Sequence, residues 1–82
     1  MSNYNSATGV AMAEAQVEIQ LNGEAARVPA NLTISGLFAH LGIDSGRVAI
    51  EFNRAIVRKA DWDATQVLEG SQVEIVHFVG GG

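Results

Sequence analysis

The chain has 82 residues, enough for one small domain, of which 48 % are apolar and 17 % are charged. Its net charge of −4, with only five basic residues, argues against nucleic acid and anionic membranes as partners. The lack of cysteine excludes disulfides, thiolate metal sites and a thiol nucleophile. Together with the lack of a signal-peptide pattern or a long apolar run, it fits a cytoplasmic protein.

Residues 1–15 are mostly Ser, Asn, Ala, Gly and Thr, with no consistent apolar period. This composition predicts a disordered extension, with a short helix packed on the domain as the alternative. The folded domain is expected to cover residues 16–79, and residues 80–82 are expected to form a flexible glycine tail.

A β-hairpin is predicted at the start of the domain. Apolar side chains alternate with polar ones along its first strand, at Val17, Ile19 and Leu21. Asn22-Gly23 then supplies a dipeptide that tolerates positive φ, which tight hairpin turns require. The return strand should end at Pro29, because proline has no N–H for a β-ladder.

A helix is predicted next, because apolar residues recur there at i, i+3, i+4 and i+7: Ile34, Leu37, Phe38 and Leu41. Thr33 or Asn31 can cap its start, and Gly42 suits the left-handed position after its end. His40 falls on the polar side of this helix and is expected to be exposed.

Three further strands are predicted. Val48, Ile50 and Phe52 share one face of the first, and the tight turn Asn53-Arg54 leads to a short strand at residues 56–57. The following polar stretch is expected to turn three apolar side chains inward: Trp62, Val67 and Leu68. The last strand is predicted over residues 72–79, with Val73 and Ile75 toward the helix and His77 also on that side.

The predicted element order is therefore β-β-α-β-β-β. One helix covers only one face of a small sheet, so the fold class is an α+β roll with the other sheet face open to water. This order and length indicate the β-grasp (ubiquitin-like) fold, a mixed four- to five-stranded sheet packed on one helix. In that fold the last strand would run parallel to the first in the centre of the sheet.

The sequence offers little catalytic chemistry. Neither His40 nor His77 lies in a spacing typical of a nucleophile or a metal site, so no catalytic residue and no metal ligand is predicted. A domain with one packed layer also has little room for a water-excluding pocket. We therefore expect that the protein is not itself an enzyme.

A small apolar patch is predicted on the open face of the sheet. If Val73 and Ile75 face the helix, then Val76 and Phe78 face water beside Ala49. Single exposed apolar residues are ordinary, but these adjoin the tail. The three residues are therefore predicted to form a partner-docking surface.

The run Gly80-Gly81-Gly82 follows the last strand without a spacer. Glycine has no Cβ, so this arm would fit a channel too narrow for side chains and would reach about 10 Å from the strand. A terminal carboxylate on Gly82 would become an acyl donor once activated, for example by adenylation. The alternative is a frayed end with no function.

With these features together, residues 16–82 resemble the ThiS family of sulfur carrier proteins in thiamine (thiazole) biosynthesis. The likeness is carried by VEIQLNGE, LTISGLFAHLGI, VAIEFNRAIVRKADWDATQVLEGSQVEIV and HFVGGG. Gly81 and Gly82 match the family's functional diglycine, and Gly80 extends it.

The resemblance implies a protein cosubstrate that binds no cofactor of its own. A ThiF-like adenylating enzyme would use ATP and magnesium to activate Gly82, and a cysteine desulfurase or sulfurtransferase would supply the sulfur. The resulting thiocarboxylate would serve a ThiG-like thiazole synthase. The carrier alone is expected to be a monomer.

Other readings of the sequence stay open. A carrier for molybdopterin synthesis, or for cysteine or tRNA thiolation, would share the fold and the tail. A ubiquitin-like or TGS-type domain that docks partners without covalent chemistry belongs to a different class. A protein modifier that joins Gly82 to a lysine is a further possibility.

Overall fold

The computed structural model describes residues 15–78. In chain order the regular elements are β1 (Gln16–Leu21), β2 (Glu24–Pro29), α1 (Ile34–Leu41), β3 (Val48–Phe52), β4 (Ala55–Ile56) and β5 (Gln72–His77). Two 3-10 turns, Ser45–Arg47 and Lys59–Ala64, lie in the connections. The predictions for residues 1–14 and 79–82, including the N-terminal extension and the glycine tail, fall outside the described residues.

The strands form one mixed sheet in the order β2-β1-β5-β3-β4. The last strand lies in the centre and runs parallel to the first, with Gln20 beside Gln72 and Leu21 beside Val73. Its other neighbour, β3, is antiparallel. The predicted β-grasp arrangement is therefore confirmed, including its central parallel pair.

Both hairpins close through two-residue turns whose residues have positive φ: Asn22 51°, Gly23 86°, Asn53 51° and Arg54 72°. Such turns match the right-handed twist of paired strands, so they bring the strands back in register. The second turn pairs Phe52 directly with Ala55. For that reason β4 covers Ala55–Ile56, one residue earlier than predicted.

The helix begins and ends at the predicted caps. The Oγ1 atom of Thr33 accepts a hydrogen bond from the Gly36 N–H at 3.1 Å, and Gly42 takes the left-handed conformation with φ 71°. The helix residues that lie in the core are Ile34, Leu37 and Phe38. Leu41 is half-buried at the edge of the same stripe.

The core lies between α1 and the covered face of the sheet. Val73 and Ile75 of β5 reach it, as predicted. Trp62 closes one end of the core and is 4 % exposed. Its ring centroid lies 4.7 Å from that of Phe38, and its Nε1–H donates to the Val57 carbonyl at 2.9 Å.

The prediction that Leu68 turns inward is wrong, because this side chain is 59 % exposed. Val67 occupies the interior, and its N–H donates to the Leu32 carbonyl at 2.8 Å. A tight turn follows directly. The Leu68 N–H donates to Ser71 Oγ, and the Ser71 N–H donates to the Leu68 carbonyl. This turn directs Leu68 to solvent.

None of the helices within residues 15–78 combines the length and the apolar character that a membrane span would need.

Candidate docking face and root of the glycine tail

The root of the glycine tail is β5, and its first side is held by the turn after β1. The Asn22 N–H donates to the Val73 carbonyl at 2.8 Å. The side-chain oxygen of Asn22 accepts from the Ile75 N–H, also at 2.8 Å. Asparagine suits this position because it tolerates positive φ and its short side chain reaches nearby backbone groups.

The turn after β3 holds the other side of β5 in the same way. The Asn53 N–H donates to the Gln72 carbonyl at 2.7 Å, and Asn53 Oδ1 accepts from the Gln72 N–H at 2.8 Å. Further along, the Phe78 N–H donates to the Arg47 carbonyl at 2.9 Å. The backbone direction is therefore fixed as far as Phe78, two residues before the glycine run.

Sequence reasoning recognised both asparagines as turn residues but missed that they bind β5. The contact between Asn22 and Ile75 spans 53 sequence positions, so no local pattern reports it. The available signal was the repetition of an asparagine as the first turn residue in both hairpins.

The predicted patch residues lie together on the open face of the sheet. Val76 is 56 % exposed and Phe78 is 58 % exposed. Ala49 lies directly opposite Val76 in the β3–β5 ladder and is half-buried. Their role in docking stays a prediction.

Ile56 belongs to the same patch and was missed from the sequence. It is 74 % exposed, and its pairing with Glu51 places it on the open face. A two-residue strand shows no periodicity, but the two-residue turn at Asn53 would have given this register. We call Ala49, Ile56, Val76 and Phe78 the apolar patch.

A shallow groove of about 120 Å³ runs through the apolar patch and reaches two carboxylates. Its lining residues are Ala49, Ile50, Glu51, Ile56, Glu74 and Val76. Glu51 and Glu74 lie directly opposite each other in the antiparallel ladder, and both are exposed. Like charges in that position destabilise a sheet. The pair therefore adds an acidic border to the patch at a cost in stability.

A second depression, of about 450 Å³ and open to solvent, lies on the other side of the acidic pair. Its lining residues are Gln20, Gly23, Glu51, Arg54, Gln72, Val73 and Glu74. Arg54 is the one basic residue of this lining. The depression is mostly polar and reaches from the acidic pair to β1 and the first hairpin turn.

The β1–β2 half of the open face is polar. Arg27 approaches Glu18 at 3.8 Å and donates from Nε to Gln16 Oε1 at 3.3 Å. Both charged side chains of this ion pair are well exposed, so it contributes little to stability. The apolar surface is thus confined to the half of the face that leads to the tail.

Both histidines are exposed, as predicted for His40. His77 lies opposite the core residue Val48 in the β3–β5 ladder, so it is on the covered face of the sheet as predicted, but it lies beyond Ile75, the last core residue of β5, and is exposed. Within the described residues, no group of three or more His, Cys, Asp or Glu side chains is placed to hold a metal ion. Gly80, Gly81 and Gly82 lie outside these residues.

The family model described as the ThiS family matches residues 15–82. The chain belongs to the ThiS family. It is 34 % identical over 65 residues to the sulfur carrier protein ThiS of Bacillus subtilis, a match that covers 78 % of this chain and 98 % of that protein. The resemblance seen in the sequence is therefore confirmed.

Two further comparisons agree with this family. A crystal structure of the thiamine biosynthesis protein ThiS from Geobacter metallireducens matches with a TM-score of 0.71 and 29 % identity, over 80 % of this chain and all of that chain. A thiazole synthase of Magnetococcus marinus is 41 % identical over 66 residues, which are 80 % of this chain and 20 % of that protein. The chain thus spans about a fifth of the length of this thiazole synthase.

Proposed function

We propose that this ThiS-family chain is a sulfur carrier of thiamine biosynthesis that delivers sulfur as a thiocarboxylate on Gly82. The observation that carries the proposal is the family match over residues 15–82, which includes the glycine run. The match to Bacillus subtilis ThiS along nearly the whole length of that carrier supports it.

The first chemical step is activation of the Gly82 carboxylate. A carboxylate is a poor electrophile, so a ThiF-like enzyme uses ATP and magnesium to form an acyl-adenylate. A carboxylate oxygen attacks the α-phosphate, and pyrophosphate leaves. Since glycine has no side chain, residues 80–82 can enter a narrow enzyme channel and leave the carbonyl open to attack.

The second step loads the sulfur. A persulfide from a cysteine desulfurase or sulfurtransferase attacks the activated carbonyl carbon, and AMP leaves. A thiol then attacks the enzyme sulfur of this acyl disulfide, forms a new disulfide with it and releases the thiocarboxylate. The chain is a protein cosubstrate in this scheme rather than an enzyme. Its lack of cysteine leaves no thiol of its own to exchange with the persulfide.

The acceptor of this sulfur is a ThiG-like thiazole synthase. Two relatives named thiazole synthase each contain a region of 66 residues that matches this chain. Such proteins join a domain of this kind to a much longer chain. Their organisation supports a direct interaction between the carrier and the synthase.

Intact mass measurement tests the proposal. The protein is incubated with ATP, magnesium, a ThiF-like enzyme, a cysteine desulfurase and cysteine. We expect a gain of about 16 Da as one oxygen is replaced by sulfur. Deleting Gly81 and Gly82 should abolish the gain, whereas deleting Ser2 and Asn3 should not. No gain in the full-length chain with active partner enzymes would contradict the proposal.

A further inference from the structure

The edge of β5 that faces β1 is only partly paired. Pairing with β1 stops at Leu21 and Val73, because the chain turns away at Asn22. The Asn22 side-chain oxygen then accepts a hydrogen bond from the Ile75 N–H. Beyond that point β5 continues to His77 with β3 on its other side only.

The ladder pattern fixes which backbone groups point to this edge. The Phe78 N–H donates to the Arg47 carbonyl, and the Gln72 carbonyl accepts from the Asn53 N–H, so both groups point toward β3. The even-numbered residues of β5 therefore direct their backbone groups toward β3. The Val73 carbonyl and the Ile75 N–H bond Asn22 on the opposite side. By this alternation the Ile75 carbonyl and both backbone groups of His77 face the β1 edge.

These groups find no partner in the described part of the chain. Among residues 15–78, none makes a hydrogen bond to the His77 N–H, and β1 has no residue in register with His77. Val76, His77 and Phe78 are all exposed. The end of β5 thus presents a short strand edge with one donor that no residue of 15–78 bonds.

We propose that this edge of β5, from Ile75 to His77, binds an extended segment of the thiazole synthase by β-strand addition. Strand addition uses main-chain hydrogen bonds, for which an unpaired strand edge is a template. The glycine run begins three residues after His77, so a protein that binds this run comes close to the edge. The choice of the synthase rests on the proposed function and on the relatives that join the two proteins in one chain.

The substitution His77→Pro tests the edge because it removes the N–H and places the proline ring there. The hydrogen bonds between β5 and β3 are retained in this variant, because they use the N–H groups of Val76 and Phe78 and not that of His77. Proline is tolerated at such edge positions. The variant loses one hydrogen bond to the synthase, and its proline ring sterically hinders the added strand. We therefore expect binding to the synthase of the same organism to weaken about 10-fold. The matched control, His77→Ala, keeps the N–H and should bind like the wild type.

Amide hydrogen exchange of the wild-type protein provides a second measurement that needs no variant. In the free carrier the His77 amide should exchange much faster than the amides of Val76 and Phe78, which bond β3. Adding the synthase should slow the exchange of the His77 amide.

The possible outcomes separate the two proposals. Wild-type affinity in a folded His77→Pro protein, or an unprotected His77 amide in the complex, would overturn the strand addition alone. So would protection by a second copy of the carrier, or by the adenylating enzyme but not the synthase. Absence of any binding between the wild-type carrier and the synthase would instead count against the proposed function itself.

Discussion

The side-chain oxygen of Asn22 accepts a hydrogen bond from the backbone N–H of Ile75 at 2.8 Å, across 53 positions of the sequence. The same residue forms the first hairpin turn with φ 51°. One asparagine therefore closes a local turn and also fixes the strand that leads to the glycine run. Asn53 does the same from the other side of β5.

Substitution of Asn22 should separate these two roles. Asn22→Gly keeps a residue that tolerates positive φ but removes the acceptor, so we expect the free energy of unfolding to fall by about 1 kcal/mol. Asn22→Ala adds left-handed backbone strain of about 1–2 kcal/mol to that loss. Urea denaturation of both variants measures the difference. Equal stability of Asn22→Gly and wild type would show that the hydrogen bond contributes nothing.

Relief of the acidic pair should stabilise the domain. Glu51 and Glu74 lie opposite each other across β3 and β5. Glu74→Gln removes the repulsion and should raise the free energy of unfolding by roughly 0.2–1 kcal/mol at low salt. The gain should shrink at high salt, because exposed charges are screened. Thermal denaturation at two salt concentrations checks this, and Glu24→Gln, which lies opposite Leu21 rather than another charge, is the control.

The apolar patch should be required for docking to the ThiF-like enzyme. Phe78→Asp and Ile56→Asp place a charge where a partner would bury apolar surface, so each should weaken binding at least about 10-fold. Leu68→Asp is the matched control, since Leu68 is 59 % exposed and Phe78 is 58 % exposed. Leu68 lies on a turn away from the patch. Isothermal titration calorimetry measures the affinities, and an equal loss in all three variants would contradict a specific role of the patch.

Trp62 should be important for stability. Trp62→Ala removes the contact with Phe38 and should lower the free energy of unfolding by about 3–5 kcal/mol. That is a large part of the stability of a small domain. Trp62→Phe keeps an aromatic ring but leaves the Val57 carbonyl without its donor, so we expect a smaller loss of about 1–3 kcal/mol. Chemical denaturation of both variants tests the order; equal losses would contradict it.

Much of the fold could be predicted because the local patterns agree with one another. The alternation around Ile19 predicted β1, and the stripe containing Leu37 predicted α1; both residues are about 1 % exposed or less. Thr33 and Gly42 predicted the helix ends. The errors fell where periodicity is absent. Leu68 is a single apolar residue beside a turn, and Ile56 lies in a strand of two residues.

The candidate site also has features that the sequence predicts and features that depend on the tertiary structure. The residue types of the glycine run and the family signature can be read from the sequence, and family membership is confirmed. The thiocarboxylate on Gly82 stays a prediction. That Val76 lies in one groove with Ile56 depends on the register of three strands, which no single segment of the sequence reveals.

The sequence by itself determined the strands, the helix and its caps, because side-chain periodicity and turn chemistry act within a few residues. Only the tertiary structure decided how β5 is held between two asparagines and which of its backbone groups have no partner among residues 15–78. Those features depend on contacts between segments some 50 positions apart. They form only when the core between α1 and the sheet brings the first hairpin and the last strand together.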